Sequence, residues 1–396
     1  MENENYKLPE NAGRELKEGE EYKPLLPAGS SPKEATVYSV LLGVLMTVIF
    51  SAAAAYLGLK VGQVFEAAIP IAIIAVGLSG LLQKKGALGQ NVIIQSIGAC
   101  SGAIVAGAIF TLPAIYILDL EVSFWQMALS SLLGGVLGIL FLIPFRKYFV
   151  KEMHGKYPFP EATATTQVLV NGEGNRKGAL TLLISGLVGG LYDFLVSTFG
   201  TWAETISTRM TAWGAGLADS HKLVVKNNTG AAVLGLGYII GLKYSLIICC
   251  GSFLVWFVLI PLINIFGGES VVDLMNSGSM ASIASMSAEE IFSTYARPVG
   301  IGGIATAGII GILKSFGVIK SAFGLAVSEM KRKDGKETNV ERTQKDLPMT
   351  IIVYGIAITI LLAYAFFVFG TACNWWQAVI ALLLAAVIAF LFTTVA

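Results

Sequence analysis

Long apolar runs separated by short charged turns dominate this chain. Residues Asn91 to Leu118 run for 28 positions without one charged side chain, and nine other segments are nearly as apolar. A helix rises about 1.5 Å per residue, so a run of about 20 apolar residues crosses the hydrocarbon of a bilayer, whereas a soluble helix needs far fewer. The pattern predicts ten spans, at about 36–59, 64–82, 91–117, 124–144, 179–200, 229–242, 244–266, 298–318, 348–370 and 374–396. The run 229–242 is too short to cross alone, so it is either part of a tilted, continuing span or a re-entrant half-helix. The expected fold class is an all-α polytopic membrane protein with about ten transmembrane or re-entrant helices.

Composition agrees. Hydrophobic residues make up 55% of the chain and charged residues 13%, against about 25% charged in an ordinary soluble domain. Charge in the turns predicts orientation, because Lys and Arg in short loops are retained in the cytoplasm. Lys84 and Lys85, the loop with Arg146, Lys147, Lys151, Lys156, Arg176 and Lys177, and the segment Lys331 to Lys345 are basic, whereas Asp119, Glu121 and the stretch Glu269 to Glu290 are acidic. A cytoplasmic N-terminus in a cell (plasma) membrane puts each of these on its expected side. The first 35 residues are polar, broken by Pro9, Pro24, Pro27 and Pro32, and lack the apolar core of a signal peptide. They are expected to form a weakly ordered cytoplasmic tail (1–35) before a transmembrane transporter domain (36–396).

The chain reaches Ala396 inside an apolar run, with no charge after Asp346. We therefore expect it to be part of a longer protein. Glycine pairs four apart, Gly98/Gly102, Gly134/Gly138, Gly186/Gly190 and Gly237/Gly241, are candidate close-packing faces between helices.

Several chemistries are set aside. The net charge of +1 leaves no basic stripe for nucleic acid. Cys100, Cys249, Cys250 and Cys373 lie in or beside apolar runs without metal-ligand spacing and read as packing residues. His154 and His221 have no second ligand at helical or turn spacing, so neither metal nor other cofactor is expected. No phosphate-cradling glycine loop ends in Lys-Ser or Lys-Thr, and no nucleophile–base pair of an enzyme is evident.

Polar groups at membrane depth remain, and these are costly enough to mark candidate sites. Asp193, in Gly-Gly-Leu-Tyr-Asp-Phe, is a candidate proton or substrate site, or else half of a structural pair with a Lys or Arg. Asn91 and Gln95 share a helix face and suit hydrogen bonds to a peptide backbone or to another helix. Lys60 and Glu66 flank a break in Gly58-Leu-Lys60-Val-Gly62-Gln-Val-Phe-Glu66-Ala-Ala-Ile-Pro70, where exposed backbone dipoles meet substrate charges or where an interfacial turn lets side chains snorkel. Gly241-Leu-Lys243 is a weak echo of this run. In Tyr157-Pro-Phe-Pro160-Glu161-Ala-Thr-Ala-Thr-Thr-Gln167, the prolines predict an extended approach and Glu161 opens a helix or half-helix, so it is either a cap or a functional carboxylate.

Taken together, these motifs resemble the oligopeptide transporter (OPT) family, in the bacterial branch that is also similar to plant yellow stripe metal-chelate carriers. The resemblance rests on Ala55 to Gly62 with Ala-Ala-Ile-Pro70, on Asn91-Val-Ile-Ile-Gln95-Ser96 leading to Phe110-Thr-Leu-Pro113-Ala, on Tyr157 to Glu161, on Arg297 to Gly303, and on Arg342 to Pro348. It covers nearly the whole chain. The Asn-Pro-Gly-Pro-Phe-Asn motif of the eukaryotic peptide branch is absent.

The resemblance implies a larger carrier of about sixteen helices, importing small peptides or peptide-like metal chelates by proton symport and alternating access. Substrate would meet Asn91, Gln95, Glu161, Lys60 and Glu66, and Asp193 or Glu161 would couple protons. Partners are then substrate, protons, lipid and a homo-oligomeric copy. A siderophore- or nicotianamine-like importer is the alternative within the class, and a channel-like pathway the alternative outside it.

Overall fold

A computed structural model describes residues 8–395 apart from 62–65, 85, 147, 158, 174–175, 274–279, 332–344 and 372. It divides into one unit of residues 1–183 and 311–396 and a second of residues 184–310. Fourteen α-helices, some continued by short π or 3-10 turns, make up most of the described residues.

In the first unit, α1 (Val37–Val61) packs along α3 (Leu88–Ile117), with α2 (Ala68–Leu81) against both α3 and α5 (Pro160–Gly172). Small residues permit this. A side chain at Gly43 would meet Ile97, one at Gly98 would meet Ile71 and Met46, and one at Gly172 would overlap Val76. The Thr47 hydroxyl donates to its own helix at Gly43 O and to Ile97 O at 2.7 Å, so the polar atom is satisfied where the helices touch. Met46, Ile71, Ala75 and Ile94 are buried between these helices. Of the four predicted glycine pairs, Gly98/Gly102 lies in such a contact and Gly138 faces Thr393 Oγ1 at 3.7 Å; around Gly134, Gly190, Gly237 and Gly241 an added side-chain carbon meets nothing within 4 Å.

A second group in this unit is α4 (Phe124–Leu142) with α13 (Met349–Ala365) and α14 (Trp375–Val395). Ser123 and Gln126 form a capping box that starts α4. Phe390 packs edge-on to Phe141 and Phe145 at 5.8 and 5.7 Å, and the Gln126 amide donates to Gly370 O at 2.6 Å. Arg146, in the basic loop, pairs with Asp346, and Lys84 stands 3.1 Å over the Tyr38 ring.

The polar tail is fastened down. Residues 8–36 form turns without helix or strand, yet Leu26 packs on the cluster Ala72, Val76, Leu88 and Leu169.

The second unit holds most of α6 (Arg176–Phe199), then α7 (Ala212–His221), α8 (Ala231–Ile240), α9 (Leu242–Phe253), α10 (Ile260–Gly267), α11 (Ala288–Ile291) and the start of α12 (Arg297–Lys331). Strands β1 (Thr205–Ser207) and β2 (Lys226–Asn228) pair antiparallel, as do β3 (Val271–Asp273) and β4 (Met280–Ser282). Ile260, Met286, Ala288 and Ile291 form the core here, with Trp256 stacked on Phe292 at 5.2 Å. The run 229–242 is broken: α8 has ten residues and stops at Gly241, whose φ of 84° glycine alone adopts without steric cost.

Among the described residues, six stretches are long and apolar enough to cross a membrane: Val37–Tyr56, Leu88–Ile117, Phe124–Phe145, Leu242–Gly267, Met349–Gly370 and Trp375–Thr393. Ala68–Leu81 and Leu183–Phe199 are apolar but shorter. The whole predicted span 298–318 is helix within α12, though some of its side chains lie outside the described residues. The chain is an all-α polytopic membrane protein.

Candidate functional site

A cavity of about 470 Å³ opens in the first unit beside α3 and α5. Leu88, Val92, Gln95 and Ala99 form its α3 wall, at spacings of four, three and four, which is one helical stripe. Glu161, Ala162, Thr165, Thr166, Leu169 and Val170 form a matching stripe of α5. Glu66, between α1 and α2, completes it and lies against α3 at Gly102, where an added carbon would be 3.6 Å from the Glu66 Cα. Gly102 is seven residues beyond Gln95, two turns along the same face.

Local sequence positions Glu161. Pro160 occupies the first turn of α5, where its missing N–H costs nothing. Phe159 is not extended, as the flanking prolines predict, but left-handed at φ 34°, ψ 60°. That reversal lets the Phe159 carbonyl accept from the backbone N–H and the hydroxyl of Thr163, both at 2.9 Å, and aims the next turn at the cavity. Thr165 and Thr166 donate back to Glu161 O and Ala162 O at 2.8 and 2.7 Å, so their hydroxyl protons are spent on their own helix.

The Glu161 and Glu66 carboxyls share a hydrogen bond, which two carboxyls make only when one is protonated. This bond, burial and the Glu66 charge together push Glu161 up to about 7. A proton held between two carboxyls near neutral pH belongs to the pair. Among the described residues that line the cavity there is no Lys, Arg or His. Three or more metal-ligating side chains grouped to hold an ion are likewise absent among the described residues.

The other predicted positions lie elsewhere. Asn91 is 1% exposed, its amide donates to Ser79 Oγ at 2.9 Å, and it is not part of the cavity wall. Lys60 is in the last turn of α1, and its side chain is outside the described residues. Asp193 is near the C-terminal end of α6 in the second unit, and its Oδ1 accepts from Ala231 N–H at 2.7 Å, capping α8. Glu173 was not singled out by its sequence. It is 8% exposed and accepts from Ala87 N–H at 3.0 Å, so it caps α3; burial raises its carboxyl against those backbone donors. Thr165, four residues from Glu161, and Thr166, four from Ala162, continue the cavity-facing stripe, a spacing that the sequence carries.

Many apolar spans, a helix interrupted at Gly241 and, in the first unit, a largely apolar open cavity carrying two carboxyls characterise a polytopic membrane protein. The model of the family described as OPT oligopeptide transporter protein matches residues 34–396, so the chain belongs to the OPT family. It is 29% identical over 316 residues to a Haemophilus influenzae protein named "Putative oligopeptide transporter", a match covering 78% of this chain. The chain spans 46% of that relative's length. No solved structure matches the chain.

Proposed function

We propose that the chain is the part of a proton-coupled oligopeptide carrier that holds the peptide's ammonium group and the coupling proton in the Glu66–Glu161–Gln95 cavity. The carrying observation is an acidic cavity with no cation among its described lining residues. An ammonium group is the natural counter-charge for such a wall. A peptide brings one terminal carboxylate beside its ammonium, whereas a nicotianamine-like chelate brings several carboxylates, and this extra repulsion ranks the peptide above the chelate. Charge rings and carbonyl filters, the devices of a channel, do not describe this single-sided wall.

The mechanism follows from the shared proton. With the proton on the pair, the wall carries one negative charge and accepts one ammonium; proton and ammonium compete for the same carboxyls, so their joint passage rests on the change of access and not on the wall's charge alone. Loading at the acidic side and release at the less acidic side requires a carboxyl that titrates between them, and Glu161 at about 7 meets that condition. Alternating access would then move the cavity's opening from one face to the other, with the N-terminal end cytoplasmic and the protein in the plasma membrane.

The test is uptake by the full-length protein in liposomes, using labelled tri- to pentapeptides and an iron chelate, with and without an inward proton gradient. Gradient-dependent peptide uptake supports the reading. Chelate uptake alone transfers the site to the yellow stripe side, and flux of either that ignores the gradient removes proton coupling.

A further inference from the structure

The same cavity has a wall that does not belong to the membrane helices. Leu8, Tyr22, Pro24, Leu25 and Leu26, all from the polar N-terminal segment, line it opposite Glu66, Gln95 and Glu161. The segment is shaped before it arrives. Arg14 grips Glu20 at 2.6 Å, and the Asn11 amide donates to the same carboxylate at 3.2 Å, closing a loop in the tail.

That loop is seated on the turn that leads to α5. His154 Nε2 meets Asn11 O at 2.9 Å, and its ring lies 4.9 Å from that of Tyr22. Gly155, at φ 71°, lies so close under the tail that a side chain there would overlap the Arg14 carbonyl. At the cavity's edge, Leu26 enters the cluster of Ala72, Val76, Leu88 and Leu169, and a side chain at Gly89 would meet Glu34 and the Lys33 carbonyl. The contacts are local and few, and the chain between them has no helix or strand to hold it. Such a segment opens without unfolding the helices beneath it.

We propose that residues 8–26 are a strap that closes the Glu66–Glu161 cavity on one side and must lift from His154 and Gly155 before that side opens. The strap is an autoinhibitory element of this chain, not a passive tail. It uses the cavity of the proposed carrier site but does not require that the cavity carry peptide. Gly155 is the sensitive point, because an added methyl collides with tail backbone, which has no rotamer by which to yield. Leu26 is the second, since a charge there cannot stay among four apolar side chains.

The experiment is the alkylation rate of a single cysteine in purified full-length protein. The four native cysteines are replaced by alanine, and Thr165→Cys, buried on the cavity wall, or Ser220→Cys on α7 serves as reporter for a charged maleimide. Gly155→Ala and Leu26→Asp are each expected to speed labelling at position 165 on the order of tenfold, as when an open fraction of about a tenth becomes nearly all, and to leave position 220 unchanged. Unchanged labelling at 165 in both variants overturns the strap. Equal acceleration at 165 and 220 also overturns it, because the segment is then a brace for the whole fold. Peptide uptake by the same variants reports separately on the carrier reading: faster labelling with unaltered uptake keeps the strap and takes the cavity off the transport path.

Discussion

Glu161 and Asp193 are carboxylates in stretches poor in charge, each beside small residues, and each was a candidate for carrying a proton. Glu161 is paired with a second carboxyl in a cavity wall, and its hydrogen bond to Glu66, burial and the Glu66 charge raise it to about 7. Asp193 faces the backbone, accepting from Ala231 N–H at the start of α8. The first arrangement makes protonation easy to change, because losing the proton places two like charges side by side. The second gives the carboxylate oxygen a helix N-terminus, a structural task that an amide oxygen also performs. What separates the two is the partner, which is not visible in either residue's own neighbourhood in the chain.

The sharpest break of this comparison is a pair of isosteric changes. Glu161→Gln keeps shape but cannot exchange a proton, and is expected to lower gradient-driven peptide uptake roughly tenfold to a hundredfold. Asp193→Asn retains a carbonyl oxygen for Ala231 N–H and is expected to keep the gradient dependence. Both are measured as initial uptake rates with and without an imposed gradient. A loss in Asp193→Asn with none in Glu161→Gln would reverse the assignment.

Next in size is a shift in pH dependence. The Glu161 carboxyl binds its proton more tightly in the fold than its ordinary value of 4.5 allows, so the pair favours the folded, protonated state below 4.5 and loses that contribution as pH rises through about 7. Glu66→Gln removes the neighbouring charge, leaving burial as the remaining upward influence. The midpoint of the uptake profile is expected to move from about 7 toward the ordinary value. A midpoint that stays in place would show that Glu66 is not the partner that matters.

These residues also show what a sequence reveals. The apolar runs were legible because lipid demands them unbroken, and each of the ten falls in helix; among the described residues six stretches are long and apolar enough to cross, while 68–81 and 183–199 are shorter, 229–242 ends at Gly241, and α12 continues past 318 to Lys331. Glu161, Glu66 and Gln95 were legible as polar positions where such groups are costly, and the fold lines one cavity with all three. Asn91 was grouped with Gln95 by their spacing of four, but four residues leave about 40° of rotation between them. That is enough to aim Asn91 at Ser79. The strap was hidden because its anchors are a carbonyl, two rings and one leucine, none of which alters a polar, proline-broken composition. Strands of three residues and the ten-residue α7 likewise carry too few positions for any period to stand out.

Smaller still is the effect expected at the Asp193 cap. Asp193→Ala leaves the Ala231 N–H without its acceptor, and loss of a cap costs about 1 kcal/mol. Thermal unfolding in detergent is expected to show that loss, while the residual protein keeps its gradient dependence. Asp193→Asn is expected to recover most of it, which a merely electrostatic role would not allow.

The smallest effect belongs to Glu289, whose two oxygens pair with Arg209 at 3.0 Å and Lys226 at 2.7 Å and so link a turn, β2 and α11. Burial draws its carboxyl upward, but Lys226 and Arg209 outweigh it and hold the group below its ordinary value. The lowered value sets the sign: the pairs contribute fully above the ordinary carboxylate range and fade as pH falls through the folded value. About a third of each side chain remains exposed except for Lys226 at 42%, so solvent screens the attraction. The loss in Glu289→Ala is therefore expected to be about 0.5 kcal/mol, and smaller in strong salt. Unfolding of wild type and variant at low and high salt measures it. A loss several times larger and indifferent to salt would mean that Glu289 holds the second unit together by packing, and the contrast between the proton exchange proposed for Glu161 and a structural carboxylate would then need a third kind.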